Sequence, residues 1–412
     1  MDDLATLPLS LNDEAVLSNP FPAYKWLRDC APVYQDPQTG MYIVSRYQDI
    51  QRITGDTETF SNNAGMLGDR AFEGDDEAAQ IMRLQASPYV NTMVSADPPV
   101  HTKYRAVVQS AFRPSRITKM QAYIQEVCDR QIDTFADNGQ FEVVEQLAVP
   151  VPMYIISDQL GIPRDMYQTF KRWSDAMVLV SDKRLPSSVR ADCARSIVEM
   201  HRYLKEVAEH FRAHPEDNIF SDIVRGEIDG RLLTDEEVLS VTQQILIAGN
   251  ETTTNTIAMG LHLMIEEGLE QTLRSDLTRI PAFVEEVLRL TSTLQGLFRR
   301  TTRDVEVAGV AIPRGAVVML RWAAANRDER KFADADCVNL ERKAANTHLA
   351  FGMGIHYCLG NLLARAELRT VFATLLTRFQ NFRLSDEPDA ALWLNHWFNR
   401  GLTRLKVQFD AA

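Results

Sequence analysis

The residues best suited to chemistry lie in one ten-residue run, Phe351-Gly352-Met353-Gly354-Ile355-His356-Tyr357-Cys358-Leu359-Gly360. A phenylalanine and two glycines lead into a lone cysteine, and the stretch that follows, Asn361 to Arg369, reads as a helix. A thiol at the mouth of a helix has its thiolate favoured by the positive end of the dipole and by free backbone N–H groups. The glycines allow the backbone to approach something large and flat without Cβ clashes. A thiolate held in this way suits a metal ligand, and haem iron is the large flat candidate. A lone cysteine is more often a small buried hydrophobe; the glycine frame and the helix entry count against that reading here.

Other groupings could support such a centre. Ala248-Gly249-Asn250-Glu251-Thr252-Thr253 sits in an otherwise apolar helical stretch. Glycine there costs about 1 kcal/mol relative to alanine, and the acid and hydroxyls add desolvation. Two such costs in one place point either to a local opening that admits ligand or water or to a simple kink. Glu286 and Arg289 stand at i and i+3, a spacing that supports a solvated helix by ~0.2–0.5 kcal/mol and is weak evidence alone. His210 and His214 have the i, i+4 spacing of a zinc pair, but no glutamate follows His210, which disfavours a metal role. Gly352-x-Gly354 lacks the third glycine and the preceding βαβ pattern of a dinucleotide loop.

The elements that must carry these residues are mainly helical. Thr234-Asp235-Glu236-Glu237 is a capping box, and helix-compatible residues continue to about Glu267, giving about 50 Å at ~1.5 Å per residue. Residues 116–213 are mostly helix-patterned, with a break at Asp137-Asn138-Gly139, and another helix begins near Pro281. Met41 to Ser45, 305–307, 310–312, 317–320, 382–384 and 405–407 read as short strands. Residues 62–92 read as loop with short helical pieces. With no repeat, linker or boundary, the expectation is one domain over 1–412, mainly α with minor antiparallel β.

The chain has 412 residues and a formal net charge of −12, which argues against a general nucleic-acid binder. No apolar stretch approaches the ~20 residues of a membrane span, and the N-terminus lacks a signal-peptide pattern. A cytoplasmic protein without a membrane or nucleic-acid partner is expected. The five cysteines are scattered and show no Cys-x-x-Cys pair, so no disulfide framework is suggested. Residues 101–120 carry Lys103, Arg105, Arg113, Arg116 and Lys119 and no acid, so this stretch is either a docking patch for an anionic partner or a solvated face.

The cysteine run resembles the haem-binding loop of the cytochrome P450 family, F-G-x-G-x-H-x-C-x-G, at every fixed position. The resemblance extends from about residue 15 to residue 408, with motifs in family order. It implies the P450 fold, haem b (iron protoporphyrin IX) as cofactor, and Cys358 as the iron ligand, with Phe351, Gly352 and Ala248 against the haem. Ala248–Thr253 resembles the A-G-x-D/E-T segment, which gives Thr252 and Glu251 the handling of dioxygen and protons; many members have aspartate where this chain has Glu251. Glu286 and Arg289 resemble the E-x-x-R pair, completed by Arg342, with a structural role. His101-Thr102-Lys103-Tyr104-Arg105 resembles H-T-x-x-R, so His101 and Arg105, with Arg299 ahead of a strand and His356, would meet the haem propionates. The substrate pocket would draw on the segment from Phe72 to Met93, on Leu246 and Ile247, on Leu294, Leu297 and Phe298, and on Trp397 and Phe398.

The implied activity is a monomeric haem-thiolate monooxygenase using O2 on a terpenoid, aromatic or steroid- or lipid-like substrate. No reductase domain is fused, so electrons would come from a separate acidic ferredoxin of the two-iron, two-sulfur type and its reductase. Docking would fall on the cysteine-loop side, near Arg113, Arg116, Arg365 and Arg369. The alternatives are a peroxygenase or other non-monooxygenase chemistry on the same fold, which has less need of Thr252, and a non-catalytic haem sensor.

Overall fold

The computed structural model describes residues 10–63, 74–180, 185–394 and 396–412. The chain divides into two compact units, one built from Met1–Ala64, Ala122–Val151 and Thr252–Ala412, the other from Gly65–Gln121 and Pro152–Glu251. Each unit is assembled from segments far apart in sequence, and the helices Pro114–Asp133, Pro150–Gln159 and Asp235–Glu266 run across the divisions. The sequence therefore offers no linker to read.

The first unit holds the sheets. Five strands pair in the order Val33–Gln35, Tyr42–Val44, Val317–Leu320, Leu297–Thr301, Phe60–Ser61. All of these pairings are antiparallel except Val317–Leu320 with Tyr42–Val44, which run parallel. Val33, Val44, Ile50, Phe60, Val318 and Trp322 form part of one buried core around this sheet. In the second sheet Leu402–Ala411 pairs with Phe379–Leu384, Ala391–Trp393 and Gln140–Glu142. Its Leu405, Val407 and Phe409 are buried, the period of two expected where one face packs inward. Phe409 packs tilted against Phe379 and Phe141 stacks on Phe135, each with centroids 4.2 Å apart. The strands expected at 305–307, 310–312 and 317–320 are present. Arg299 lies ahead of the Val305–Val307 strand, as expected, and is itself inside the Leu297–Thr301 strand.

Among the described residues, the regular elements of the second unit are helices apart from a hairpin, Glu227–Ile228 with Arg231–Leu232. Ser187–Ala213 buries Ala194, Ile197, His201, Leu204, Ala208 and Phe211 at helical spacing and packs on Glu77–Gln85 and Tyr167–Leu179. His201 accepts from Ser87 N at 3.0 Å, and burial holds its pKa down at about 4, so this histidine is a neutral core residue. The capping box forms: Thr234 N donates to Glu237 Oε2 at 2.7 Å and Glu237 N to Thr234 Oγ1 at 3.3 Å. Arg231 also grips both Glu237 oxygens and, as the largest cause, draws the Glu237 pKa down to about 2. The helix that follows spans Asp235–Glu266 without a break.

Asn361–Arg378, the helix downstream of Cys358, packs against Ile280–Thr291 and buries Glu367. Burial pushes the Glu367 pKa up to about 8, and its Oε2 has no hydrogen-bond partner. The protonated form is therefore favoured by folding, so its stabilisation is full below the unfolded carboxyl pKa and is lost as pH rises through about 8. Between pH 6 and 9 this amounts to roughly 3 kcal/mol. Glu367→Gln should flatten the decline of melting temperature over that range; an unchanged pH profile in the variant would locate the decline elsewhere.

Candidate functional site

The cysteine loop is built from tight local turns in the first unit. Gly352 N donates to Leu349 O at 2.9 Å, Tyr357 N to Gly354 O at 3.1 Å, and Cys358 N back to Phe351 O at 2.9 Å. Gly352 and Gly354 adopt φ of 69° and 71°, a region that strains any residue with a Cβ. A Cβ on Gly352 would also meet the Trp322 ring at 3.4 Å, and one on Gly354 the Thr54 carbonyl at 3.1 Å. Cys358 is half-buried just before the Asn361–Arg378 helix. A Cβ on Gly360 would come to 4.0 Å from the Cys358 Sγ, so this glycine lies against the sulfur. A thiol at a helix mouth, framed by glycines, fits the proximal side of a haem.

Side chains to which the sequence reading gave no such role hold this loop. Asn361 Nδ2 donates to Cys358 O at 2.7 Å, and Arg365 Nη1 to Asn361 Oδ1 at 2.9 Å. Arg365 makes a two-point contact with Glu285 at 2.7 and 2.9 Å and lies 4.6 Å from the Phe351 ring centroid. His348 Nε2 is 3.3 Å from Glu285. Burial alone would raise the Glu285 pKa, but His348 and Arg365 outweigh it and bring it to about 2. Arg365 was expected on a docking surface; it is instead half-buried and committed to Glu285 in this network. The adjacent acids Glu285-Glu286 were the available signal, but one sequence does not reveal which helix faces them.

Glu286 and Arg289, both fully buried, form a two-point pair at 2.8 Å on each side. Arg342 Nε joins Glu286 Oε1 at 3.1 Å, and Asn339 N donates to Oε2 at 2.9 Å. Arg289 also donates to the carbonyls of Asn326, Ala335 and Cys337, and Arg342 to those of Ala333, Asp334 and Cys337. Burial works to raise the Glu286 pKa, but the two arginines and the Asn339 N–H bring it below the usual range. The pair is thus a buried tie rather than the solvated i, i+3 support that its spacing also allowed.

Among the remaining candidates of the first unit, Arg299 is buried, with Nη1 on Phe298 O at 2.7 Å, and His356 is half-buried in the Gly354–His356 turn. Thr252 is half-buried, and its carbonyl accepts from Thr256 Oγ1 at 2.7 Å, the same hydroxyl lying 3.0 Å from Thr293 Oγ1. Phe298 packs on Trp397 and on Phe398, with both ring-centroid distances 5.8 Å. Leu294 and Leu297 are half-buried nearby in sequence, and Leu294 bridges Asn399.

In the second unit, His101 is buried near the start of the Val100–Ala111 helix, and Arg105 lies one turn on. Burial first, then the Arg105 charge, lowers the His101 pKa, so His101 would meet an anion as a hydrogen-bond donor more readily than as a cation. Met93 and Leu246 are buried, Ile247 and Glu251 half-buried, and Ala248 exposed. A Cβ on Gly249 would meet nothing within 4 Å, and Asn250 Nδ2 donates to Ser174 Oγ at 3.1 Å. The helix is not opened at Gly249. Phe72 lies outside the described residues. His210 and His214 stack with centroids 5.0 Å apart, and among the described residues no group of three potential ligands could hold a metal ion.

The basic stretch does not form the expected patch. Arg116 is buried and paired with Asp217 at 2.9 Å and Asp222 at 2.7 Å. Arg113 lies 3.4 Å from Asp222, and Lys103 pairs with Asp229. The neutralising acids come from about a hundred residues downstream, which is why the stretch looked unopposed. Arg369 remains exposed.

The sequence model of the cytochrome P450 family matches residues 38–396. The steroid C26-monooxygenase of Mycobacterium tuberculosis is 32% identical over 391 residues, covering 95% of this chain and 94% of that protein. The structure of CYP109Q5 from Chondromyces apiculatus has a TM-score of 0.87 at 33% identity, covering 98% of each chain. That of CYP109E1 from Bacillus megaterium, in complex with testosterone, has a TM-score of 0.81 at 30% identity, covering 95% of this chain and 99% of that one. A chain with this fold and this kind of cysteine loop is a haem-b monooxygenase. It belongs to the cytochrome P450 family. Among the described residues no helix is long and apolar enough to cross a membrane.

Two outcomes follow from the paired acids. Removing one partner of a buried ion pair costs about 3–5 kcal/mol, so Glu286→Ala and Arg289→Ala should each lower denaturant stability on that scale. Glu286→Leu combined with Arg289→Met should lose less than the sum of the single losses; strict additivity would disprove the pairing. For Glu285 the folded pKa is depressed, so its contribution is present above the unfolded carboxyl pKa and lost as pH falls through about 2. Glu285→Gln should therefore weaken the protein at neutral pH and soften its acid transition, measured by melting temperature from pH 7 to 3.

Proposed function

We propose that Cys358 is the thiolate ligand of the haem iron and that the enzyme hydroxylates a steroid- or lipid-like substrate with electrons from a separate ferredoxin. The observation that carries the first part is the loop itself, with Gly352 and Gly354 in the left-handed region and the cysteine set before a helix N-terminus. When bound, the haem supplies dioxygen activation and the transfer of one oxygen atom to the substrate. Cys358 gives the anionic sulfur, and the Asn361–Arg365–Glu285 network keeps its carbonyl and therefore its loop fixed. His101, Arg105, Arg299 and His356 would hold the propionates by donating hydrogen bonds.

Thr252 and Glu251 would deliver protons over the distal face. The Thr252 carbonyl is engaged by Thr256 within the helix, and the Thr252 hydroxyl would orient a proton there. Glu251, one methylene longer than the aspartate of many members, would bring protons to it. A substrate of steroid or lipid type is supported by the apolar, aromatic character of Phe298, Trp397 and Phe398 and by the steroid relatives named above. The electron donor would approach on the cysteine-loop side, where Ile355, Leu362 and Arg369 are exposed. The neutralised pairs of Arg113 and Arg116 take no part in that docking.

Reduced protein with carbon monoxide should show the strongly red-shifted Soret band of thiolate ligation, and Cys358→Ala should lose it; a variant retaining the band would end the assignment. Thr252→Ala should still bind substrate while product formed per NADH consumed falls. Unchanged coupling in both Thr252→Ala and Glu251→Gln would refute the proton-delivery roles. Arg116→Glu should lower stability without selectively slowing reduction by ferredoxin.

A further inference from the structure

In the second unit, the segment 86–96, which carries Met93 of the candidate substrate pocket, lies in no helix or strand. Backbone that is buried outside regular structure must find hydrogen-bond partners elsewhere. Three N–H groups of this segment find them on side chains. Ser87 N donates to His201 Nδ1 at 3.0 Å, Val90 N to Ser240 Oγ at 2.8 Å and Val94 N to Gln244 Oε1 at 3.0 Å. Gln244 Nε2 also donates to Thr92 Oγ1 at 2.6 Å and to the Tyr89 hydroxyl at 3.2 Å. That hydroxyl lies 2.9 Å from Ser95 Oγ. His201 is tied in turn to the Gln243 amide through Nε2.

Ser240, Gln243 and Gln244 stand at i, i+3 and i+4 on the Asp235–Glu266 helix, so they share one face. Ser240 and Gln244 are buried, and polar side chains there cost desolvation unless they are hydrogen-bonded. The N–H groups of the segment 86–96 offset that cost. Gln244 differs from the other two anchors in where it acts. It holds the residue on each side of Met93, Thr92 by its hydroxyl and Val94 by its backbone N–H. Met93 itself is buried. Leu246 and Ile247 follow Gln244 by two and three residues on the same helix. One helical turn therefore carries two candidate pocket residues and the clamp on a third.

We propose that Gln244 is a specificity-determining positioning residue. By clamping Thr92 and Val94 it fixes how far the Met93 side chain reaches into the pocket, and so the length of apolar substrate that the pocket accepts. Its own amide is spent on the protein, with the oxygen on Val94 and the nitrogen on Thr92 and Tyr89, so it acts through Met93 and not by touching the substrate. The inference rests on the reading above that places Met93 in the substrate pocket.

The test uses holoprotein and 1-alkylimidazoles from methyl to dodecyl, whose ring nitrogen binds the haem iron while the chain probes the pocket. Affinities are read from the shift of the haem absorption, and hydrogen exchange of the Val94 amide is followed alongside. The carbon monoxide band confirms that each variant keeps its haem. Wild-type protein should prefer one range of chain lengths. Gln244→Met keeps the volume and loses the hydrogen bonds. It should cut the affinity ratio between best and worst chain at least about tenfold, the scale on which one unpaired buried N–H registers. It should also speed Val94 exchange and leave 1-methylimidazole binding unchanged. Gln244→Glu retains an acceptor for Val94 and should restore part of the preference. Ser240→Ala releases Val90 but leaves both neighbours of Met93 clamped, so it should lose little. A flat wild-type series, an unaltered preference in Gln244→Met, or an equal loss in Ser240→Ala would overturn the proposal. Met93→Ala separates the two readings. A preference lost in Met93→Ala but kept in Gln244→Met rejects the clamp and spares the pocket, whereas no loss in either rejects the clamp and removes Met93 from the pocket.

Discussion

Two consecutive carboxylates on one helix constrain everything around the cysteine. Successive residues on a helix point about 100° apart, so Glu285 and Glu286 on Ile280–Thr291 face different neighbours. Glu286 faces Arg289 and Arg342, whose remaining donors hold the carbonyls of 333–337. Glu285 faces Arg365 on the helix downstream of the cysteine and His348 on the segment upstream. One helix turn thus ties down the chain on both sides of residues 351–360. Two adjacent buried carboxylates would ordinarily drive one another towards protonation. Here each has its own guanidinium partner, and both are held below their usual range.

The same constraint explains what could be read in the sequence and what could not. The cysteine loop was legible because its requirements are local: two left-handed glycines, a cysteine and a helix start occupy ten consecutive residues. The capping box at Thr234 was legible for the same reason, and the short strands at 305–320 were bounded by turn residues. The Glu286–Arg289 spacing was visible, but spacing alone allows either a solvated pair or a buried one. Its burial depends on Arg342 and on carbonyls of the meander, which no local pattern encodes. Arg365, Arg113 and Arg116 were misplaced by one error. An arginine whose partner is not local reads as surface charge, whereas Glu285, Asp217 and Asp222 meet these three from 80 to 109 residues away.

The expected interruption at Gly249 has a similar explanation. Glycine and a polar cluster within an apolar helix are costs that suggest an opening, yet the helix is continuous from Asp235 to Glu266. The polar groups find partners without breaking the backbone: Asn250 reaches Ser174, and Thr256 takes the Thr252 carbonyl. A threonine hydroxyl bonding back to the i−4 carbonyl is a known tolerance of helices. The absent Cβ at Gly249 leaves open space beside the helix instead of a gap in it, so the cost in helix propensity creates room rather than flexibility.

Buried arginine is the recurring device of the first unit, and it is compensated in two ways. Arg289 is satisfied completely, by two carboxylate oxygens and three carbonyls. That arrangement leaves no donor for a ligand and suits a permanent tie. Arg321 is equally buried but meets a carbonyl, a neutral phenol and a sulfur, with Nε unused. Its partners Trp397 and Tyr24 lie 76 and 297 residues away, so it too is a tie, held by neutral acceptors and by the Tyr24 ring at 4.7 Å instead of by a carboxylate.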